Sequence, residues 1–227
     1  MAKRRIVGVV SQKGGVGKST LCQLIAREAA VGGKSAKILD FDIKQMTSTD
    51  WVRARLESDL EPAIEAEPIK SIEKALKHSK GYDIIVLDGA PGAPRRTAEL
   101  MPVCDLIILP TGSSRADLVP TLALARHIAE MKLATDGPVF ALCRIMTAAE
   151  AADARATIKE AGFETFDGEL VERPGYRQAQ NVGRSATETS FPSLNDKARL
   201  LARSILKRLA WQGIRVGSPQ SRPRAAV

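Results

Sequence analysis

The stretch Arg5-Ile6-Val7-Gly8-Val9-Val10-Ser11-Gln12-Lys13-Gly14-Gly15-Val16-Gly17-Lys18-Ser19-Thr20 decides the fold. A short β-branched run over Arg5–Val10 reads as a strand, and helical periodicity takes over from Lys18 to Ala30 before Gly32-Gly33 ends it. A glycine-rich turn between strand and helix exposes consecutive backbone N–H groups. With the positive end of the helix dipole, these hold phosphate oxygens. Lys18 is then placed to reach β- and γ-phosphates, and the Ser19 hydroxyl to bind Mg²⁺. The usual spacing asks for a glycine five residues before Gly17. Gln12 stands there instead, and a second lysine, Lys13, precedes the paired glycines.

Outward from this loop, β-branched runs alternate with helical stretches. Strands are expected over Ala36–Phe41, Pro62–Ala66, Tyr82–Asp88, Asp105–Leu109 and Val139–Ile145. Helices are expected over Thr49–Glu57, Ile69–His78, a long segment capped by Asp117 with Pro120 in its first turn, Ala149–Ala161, part of Tyr176–Asn181, and a final helix from the Ser193 cap to about Trp211. Strands separated by helices imply an α/β fold, a mostly parallel twisted sheet covered by helices on both faces, with its ligand beyond the C-terminal strand ends. Residues 1–212 read as one domain. Residues 213–227, rich in Gly, Ser, Pro and Arg, read as a basic disordered tail.

Two further strand ends carry carboxylates. Asp40-Phe41-Asp42 closes the second strand with both carboxylates on one face. Tyr82-Asp83-Ile84-Ile85-Val86-Leu87-Asp88 brings Asp88 to the sheet edge, where it can hold an Mg²⁺ water. The loop Lys13-Gly14-Gly15-Val16-Gly17-Lys18-Ser19-Thr20 resembles the deviant Walker A motif of the ParA/MinD family of P-loop ATPases, within the larger group that includes the nitrogenase iron protein. The resemblance implies ATP and Mg²⁺ as cofactors, and an ATP-bound homodimer in which Lys13 reaches the partner's phosphates. It gives Asp42 the role of positioning the attacking water near the γ-phosphate, with Asp40 supporting the metal or the loop, and Asp88 the Walker B role. Lys13, Lys18 and Asp42 are thus the catalytic candidates, and Ser19, Asp42 and Asp88 the metal ligands. The loop from Lys13 to Thr20 holds the nucleotide. Arg144 and the turn Pro174-Gly175-Tyr176 are candidates for the base; the family often has Asn before a basic residue there, and Cys143-Arg144 stands at the matching strand end. Ile43-Lys44-Gln45 replaces the family's Pro-Gln, while Trp51 and Arg53 suit its short partition members.

Charge adds a partner. The chain carries a net +8, and from Asp196 onward eight basic residues face a single acid, leaving the first 195 residues nearly neutral. Such asymmetry points to a polyanion. Arg199, Arg203, Lys207 and Arg208 on the final helix are the expected DNA contacts, Arg199, Arg203 and Lys207 lying four apart along one face. By resemblance, the chain is then a short partition or positioning ATPase. It would bind DNA without sequence preference, answer to a ParB-like adaptor, and work in a bacterial cytoplasm on the nucleoid. The loop opens the chain with no room expected for an N-terminal DNA-binding domain. A MinD-like membrane ATPase is the nearest alternative, since Leu200, Leu201, Ile205, Leu206 and Leu209 accompany the basic residues. A metal-cluster carrier needs paired thiolates, and Cys22, Cys104 and Cys143 are isolated, suiting buried thiols in a reducing compartment. No run approaches the roughly 18 apolar residues of a membrane span, and no secretory leader is expected.

Overall fold

A computed structural model describes residues 4–90, 92, 98–131 and 137–211 of the chain. Lys3 and the basic segment expected over 213–227 lie outside the described residues. The elements run β1 (Arg5–Val9), α1 (Lys18–Val31), β2 (Ala36–Asp40), α2 (Thr47–Glu57), β3 (Glu65–Pro68), α3 (Ile72–His78), β4 (Ile84–Asp88) and β5 (Leu106–Thr111). They continue with α4 (Arg115–Glu130), β6 (Val139–Ile145), α5 (Ala148–Glu160), β7 (Glu164–Thr165), β8 (Leu170–Val171), α6 (Pro174–Gln180) and α7 (Pro192–Trp211). The strands pair in the order β3-β2-β4-β1-β5-β6-β7, every pair parallel, and β8 continues beyond β7 along the outer edge of β6. This is the expected doubly covered parallel sheet.

Period-two alternation splits the core between the two faces. Val7, Val9, Ile38, Ile84, Val86, Ile108 and Ala141 pack under α1 and α7, whereas Ile85, Leu87, Ile107, Leu109, Phe140 and Leu142 pack under α3, α4 and α5. On α7 the residues Ala198, Leu201, Ala202, Ile205 and Leu209 are buried, the spacing of one helical stripe. Among the described residues no helix is long and apolar enough to cross a membrane.

Local details differ from expectation for identifiable reasons. The third strand is Glu65–Pro68 rather than Pro62–Ala66: its glutamates are held at the sheet edge by Lys37, 3.6 Å from Glu65 and 3.1 Å from Glu67. Ser114, not Asp117, caps α4. Its hydroxyl accepts from the Asp117 N–H at 3.2 Å, so Asp117 becomes the third helical residue and Pro120 falls in the second turn. The final helix starts at Pro192, before the expected Ser193 cap, because proline suits a first helical position. The two-residue strands β7 and β8 are too short to leave a periodic signal.

One charged cluster lies inside the fold, away from the strand ends. Arg55, 1% exposed, lies between α2 and the 183–188 segment. It grips Glu188 through both terminal nitrogens (2.8 and 3.2 Å) and donates to the carbonyls of Pro62, Glu61 and Gly183. Gly183 makes this close approach possible, since a Cβ there would run into the Arg55 backbone nitrogen. Arg27 of α1 joins Glu188 at 3.2 Å, and Trp51 donates its indole N–H to the Arg184 carbonyl at 3.1 Å. We expect Arg55→Ala to cost about 3 kcal/mol in urea denaturation, because it takes the bidentate partner from a half-buried carboxylate and the donor from three carbonyls. Arg55→Met with Glu188→Gln should cost less than Arg55→Ala alone.

Candidate functional site

Parallel pairing brings one set of side chains to a common edge. Val9 lies opposite Asp88, and Asp88 opposite Asp40, so β1, β2 and β4 end in register and the segments after them share one rim. A cleft of about 370 Å³ opens there. Gly14, Gly15, Gly17, Lys18, Ser19 and Thr20 line one end with Asp42 and Asp88, and Cys143, Arg144, Leu170, Val171, Glu172, Arg173, Tyr176, Arg177 and Gln180 line the other.

The phosphate loop owes its path to two left-handed glycines, Gly15 (φ 72°) and Gly17 (φ 99°). A side chain at Gly17 would also meet the Cys143 Cβ at 3.2 Å, whereas nothing lies within 4 Å of the position a Cβ would take at Gly14 or Gly15. The loop therefore presses against β6 at one glycine and leaves open space at the other two. The first turn of α1 holds no acid, which leaves its N–H groups and dipole uncompensated for an anion. Lys18, 7% exposed, turns back and donates to the Lys13 carbonyl at 3.1 Å. Burial pulls its ammonium below the usual lysine value, against the pull of Asp88, Cys22 and Asp42.

The carboxylates divide by burial. Asp40 is fully buried, is absent from the cleft lining, and accepts the N–H groups of Asp42 (3.0 Å), Ser48 (3.1 Å) and Thr49 (3.4 Å). It shapes the loop between β2 and α2. Asp42, half-buried on the cleft wall, accepts the Gln45 N–H at 3.2 Å through one oxygen. Asp88 is nearly inaccessible. Burial raises its pKa, and the hydroxyls of Ser48 (2.7 Å) and Ser19, Lys18 and the Cys22 thiol oppose that rise. Ser48 tethers both strand-end aspartates; as one more serine at a helix start, it carries no sequence signal for this role. Ser19, Asp88 and Asp42 offer the hard oxygens that magnesium prefers. Among the described residues no three His, Cys, Asp or Glu gather to hold a metal alone. The set therefore fits an ion whose remaining ligands are phosphate oxygens and water.

The second lysine of the loop takes another direction. Lys13, 39% exposed, does not line the cleft; it donates to Asp117 Oδ1 at 2.8 Å at the start of α4. The pair holds the Asp117 carboxyl below the usual carboxylate range, helped by Ser114. Gly112 leaves room for it, because a Cβ there would lie 2.5 Å from Asp117 Oδ2.

At the opposite end Arg144 occupies a left-handed backbone position (φ 58°). It donates to Glu172 at 3.0 Å and to the Gly15 carbonyl at 3.3 Å. Arg177 meets the same glutamate at 3.2 Å. Pro174 is exposed and absent from the cleft lining; Arg173, Tyr176 and Arg177 beside it take that place. Cys22 and Cys143 are buried and Cys104 half-buried. His78 lies 2.7 Å from Glu67 at the far sheet edge.

Of the expected DNA contacts, Arg203 and Lys207 stand exposed. Arg199 is turned onto Asp196 (2.9 Å) and Arg208 onto Glu164 (3.2 Å), because each acid lies within reach of a long side chain on the helix flank.

Burial, followed by the charge of Asp88, raises the Asp40 pKa to about 6. The folded protein thus binds a proton that the unfolded chain releases near 3.8, and native stability falls as pH rises through this window. Nucleotide-free wild type should lose on the order of 2 kcal/mol more than Asp40→Asn between pH 4 and pH 7.5 in chemical denaturation. Parallel curves for the two would refute the assignment.

The family profile described as ParA: NUBPL iron-transfer P-loop NTPase matches residues 2–78. The chain is 27% identical over 184 residues to the maintenance of carboxysome distribution protein A of Gloeobacter kilaueensis, covering 80% of this chain and 83% of that protein. It is 26% identical to protein ParA of Rhizobium radiobacter, covering 90% and 97%. The solved septum site-determining protein MinD of Pyrococcus horikoshii, complexed with Mg-ADP, superposes with a TM-score of 0.69 at 18% identity, covering 94% of this chain and all of the other. In its parallel sheet and its lysine-bearing phosphate loop, the chain is similar to ParA- and MinD-type P-loop NTPases.

Proposed function

We propose that this chain is an ATP-hydrolysing positioning ATPase that pairs with a second copy when it binds ATP. One observation carries the reading: the loop's two lysines are separated. Lys18 lies buried in the chain's own cleft, and Lys13 stands at the rim, paired with Asp117 in a half-exposed ion pair. Such a pair is worth little, about 0–1 kcal/mol, so Lys13 is cheaply redirected to the phosphates of a facing copy. Within one chain, the loop N–H groups and Lys18 bind the phosphates, and Asp42 uses its uncommitted oxygen to orient the attacking water. Bound Mg²⁺, held from Ser19 and Asp88, would neutralise charge on the β- and γ-oxygens.

The surface on which the dimer works is proposed to be DNA, bound through its phosphates and without regard to sequence. Arg203 and Lys207 remain exposed on α7, and Arg173 and Arg177 stand exposed beside the cleft. The membrane alternative needs the apolar stripe of α7, but Leu201, Ile205 and Leu209 are spent in the core. The cluster-carrier alternative needs thiols at the surface, and Cys22 and Cys143 are buried. A ParB-like adaptor that stimulates hydrolysis, a plasmid, chromosomal or protein-cluster cargo, and a place on the bacterial nucleoid complete the proposal. Support comes from relatives named for ParA and for carboxysome distribution.

Asp42→Ala should bind ATP with near-normal affinity but turn it over at least a hundredfold more slowly, and should trap an ATP dimer visible by light scattering. Lys13→Ala on that background should bind ATP as a monomer. A stable ATP dimer lacking Lys13 would refute the bridge.

DNA retention of the trapped dimer should weaken steeply with salt. Arg203→Ala with Lys207→Ala should flatten the log–log salt slope by about one per lysine or arginine removed from a phosphate, leaving dimerisation intact. Anionic vesicles that bind where DNA does not would favour the membrane reading.

A further inference from the structure

A side chain of the arginine-bearing helix α6 hydrogen-bonds directly to the end of the phosphate loop. Gln180, the last residue of α6, lines the cleft and donates its amide N–H groups to Thr20 Oγ1 at 2.9 Å and to Gln23 Oε1 at 2.7 Å. Gln23 is 2% exposed, so the amide is anchored on a buried partner. Both amide protons point at α1, and this fixes the state of the Thr20 hydroxyl. Having accepted from Gln180, that hydroxyl has its own proton free to donate. Thr20 belongs to the phosphate loop and also lines the cleft, so an anion bound there is the natural acceptor.

The other end of α6 faces a different task. Arg173 and Arg177 are exposed and reach Glu172, which Arg144 also holds while donating to the Gly15 carbonyl. Tyr176 fixes the helix middle through its hydroxyl on the Leu194 carbonyl at 2.9 Å. The segment from Glu172 to Gln180 thus touches the phosphate loop at both ends: through Arg144 near Gly15 and through Gln180 at Thr20.

We propose that Gln180 is a positioning residue that sets the Thr20 hydroxyl as a donor to the bound nucleotide and thereby ties the placement of α6, with Arg173 and Arg177, to occupancy of the cleft. The proposal rests on the nucleotide reading of the cleft. An empty site leaves the Thr20 proton without an anionic acceptor. A bound triphosphate takes that proton, polarises the hydroxyl and tightens its acceptance from Gln180, so α6 is held more firmly when the cleft is filled. Gln180 acts only through its neighbour; it transfers no proton itself.

The test is a double-mutant cycle with the full chain and a non-hydrolysable ATP analogue with Mg²⁺. Gln180→Ala should weaken analogue binding about fivefold, the usual worth of one neutral hydrogen bond. The same change in a Thr20→Val background should have no further effect, because its target is gone. Gln180→Glu, similar in size but acceptor-only, should fail to rescue, since it takes the Thr20 proton. Amide exchange of residues 174–180 should slow on adding the analogue to wild type and stay unchanged in Gln180→Ala. Additive losses in the cycle, rescue by Gln180→Glu, or an analogue-induced slowing of α6 exchange in Gln180→Ala as large as in wild type would each overturn the proposal while leaving nucleotide binding standing. Wild type that fails to bind the analogue would overturn the nucleotide reading and the proposal together.

Discussion

The site depends on the in-register termination of three parallel strands. With Val9 opposite Asp88 and Asp88 opposite Asp40, the pairing places two carboxylates side by side under a glycine loop, away from water. Two like charges in a poorly solvated place repel, and Asp40 responds with its raised pKa. The arrangement is tolerable because the fold supplies donors. Ser48 serves both aspartates, backbone N–H groups saturate Asp40, and the Lys18 ammonium lies close enough to draw on Asp88. The electrostatic cost is thus localised where a nucleotide and its cation would offset it.

Around that point the molecule uses polar contacts as rivets between elements that hydrophobic packing alone would let slide. Arg55 and Glu188 fasten α2 to the segment before α7, and Arg27 brings α1 into the same knot. Because α1 starts at the phosphate loop and α2 follows Asp42, this knot fixes both walls of the cleft from behind. Gln180 performs a lighter version of the same task on the third wall. A buried, bidentate pair resists displacement, whereas a single neutral amide is easily rearranged. The rigid and responsive sides of the cleft differ for that reason.

Charge on the outside follows a different logic. The arginines around Glu172 are exposed and the Lys13–Asp117 pair is half-exposed, so solvent screens both and they hold orientation without committing much energy. On α7, Arg199 and Arg208 are drawn onto nearby acids while Arg203 and Lys207 face water. A helix that looks uniformly basic in sequence therefore presents a narrower cationic strip.

Local chemistry made much of this legible before any coordinates. The glycine-rich turn between the first strand and α1, and the apolar runs ending in Asp40 and Asp88, are written in residue type, and the helical stretches between such runs imply a parallel sheet. Those constraints act over a few residues, and sequence carries them directly. Contacts between residues far apart in the chain are another matter. That Ser48 serves both aspartates, that Lys13 turns to Asp117, that Pro174 stays off the cleft while Arg177 and Gln180 line it, and that Arg55 disappears into the interior are settled only when sheet order brings those segments together. Sequence alone determined the phosphate loop, the strand-end carboxylates and the alternating layers, because each is written in local backbone geometry and periodicity. The tertiary structure decided which charges are buried, which are paired and which face the cleft, because burial and pairing depend on neighbours that the chain order does not name.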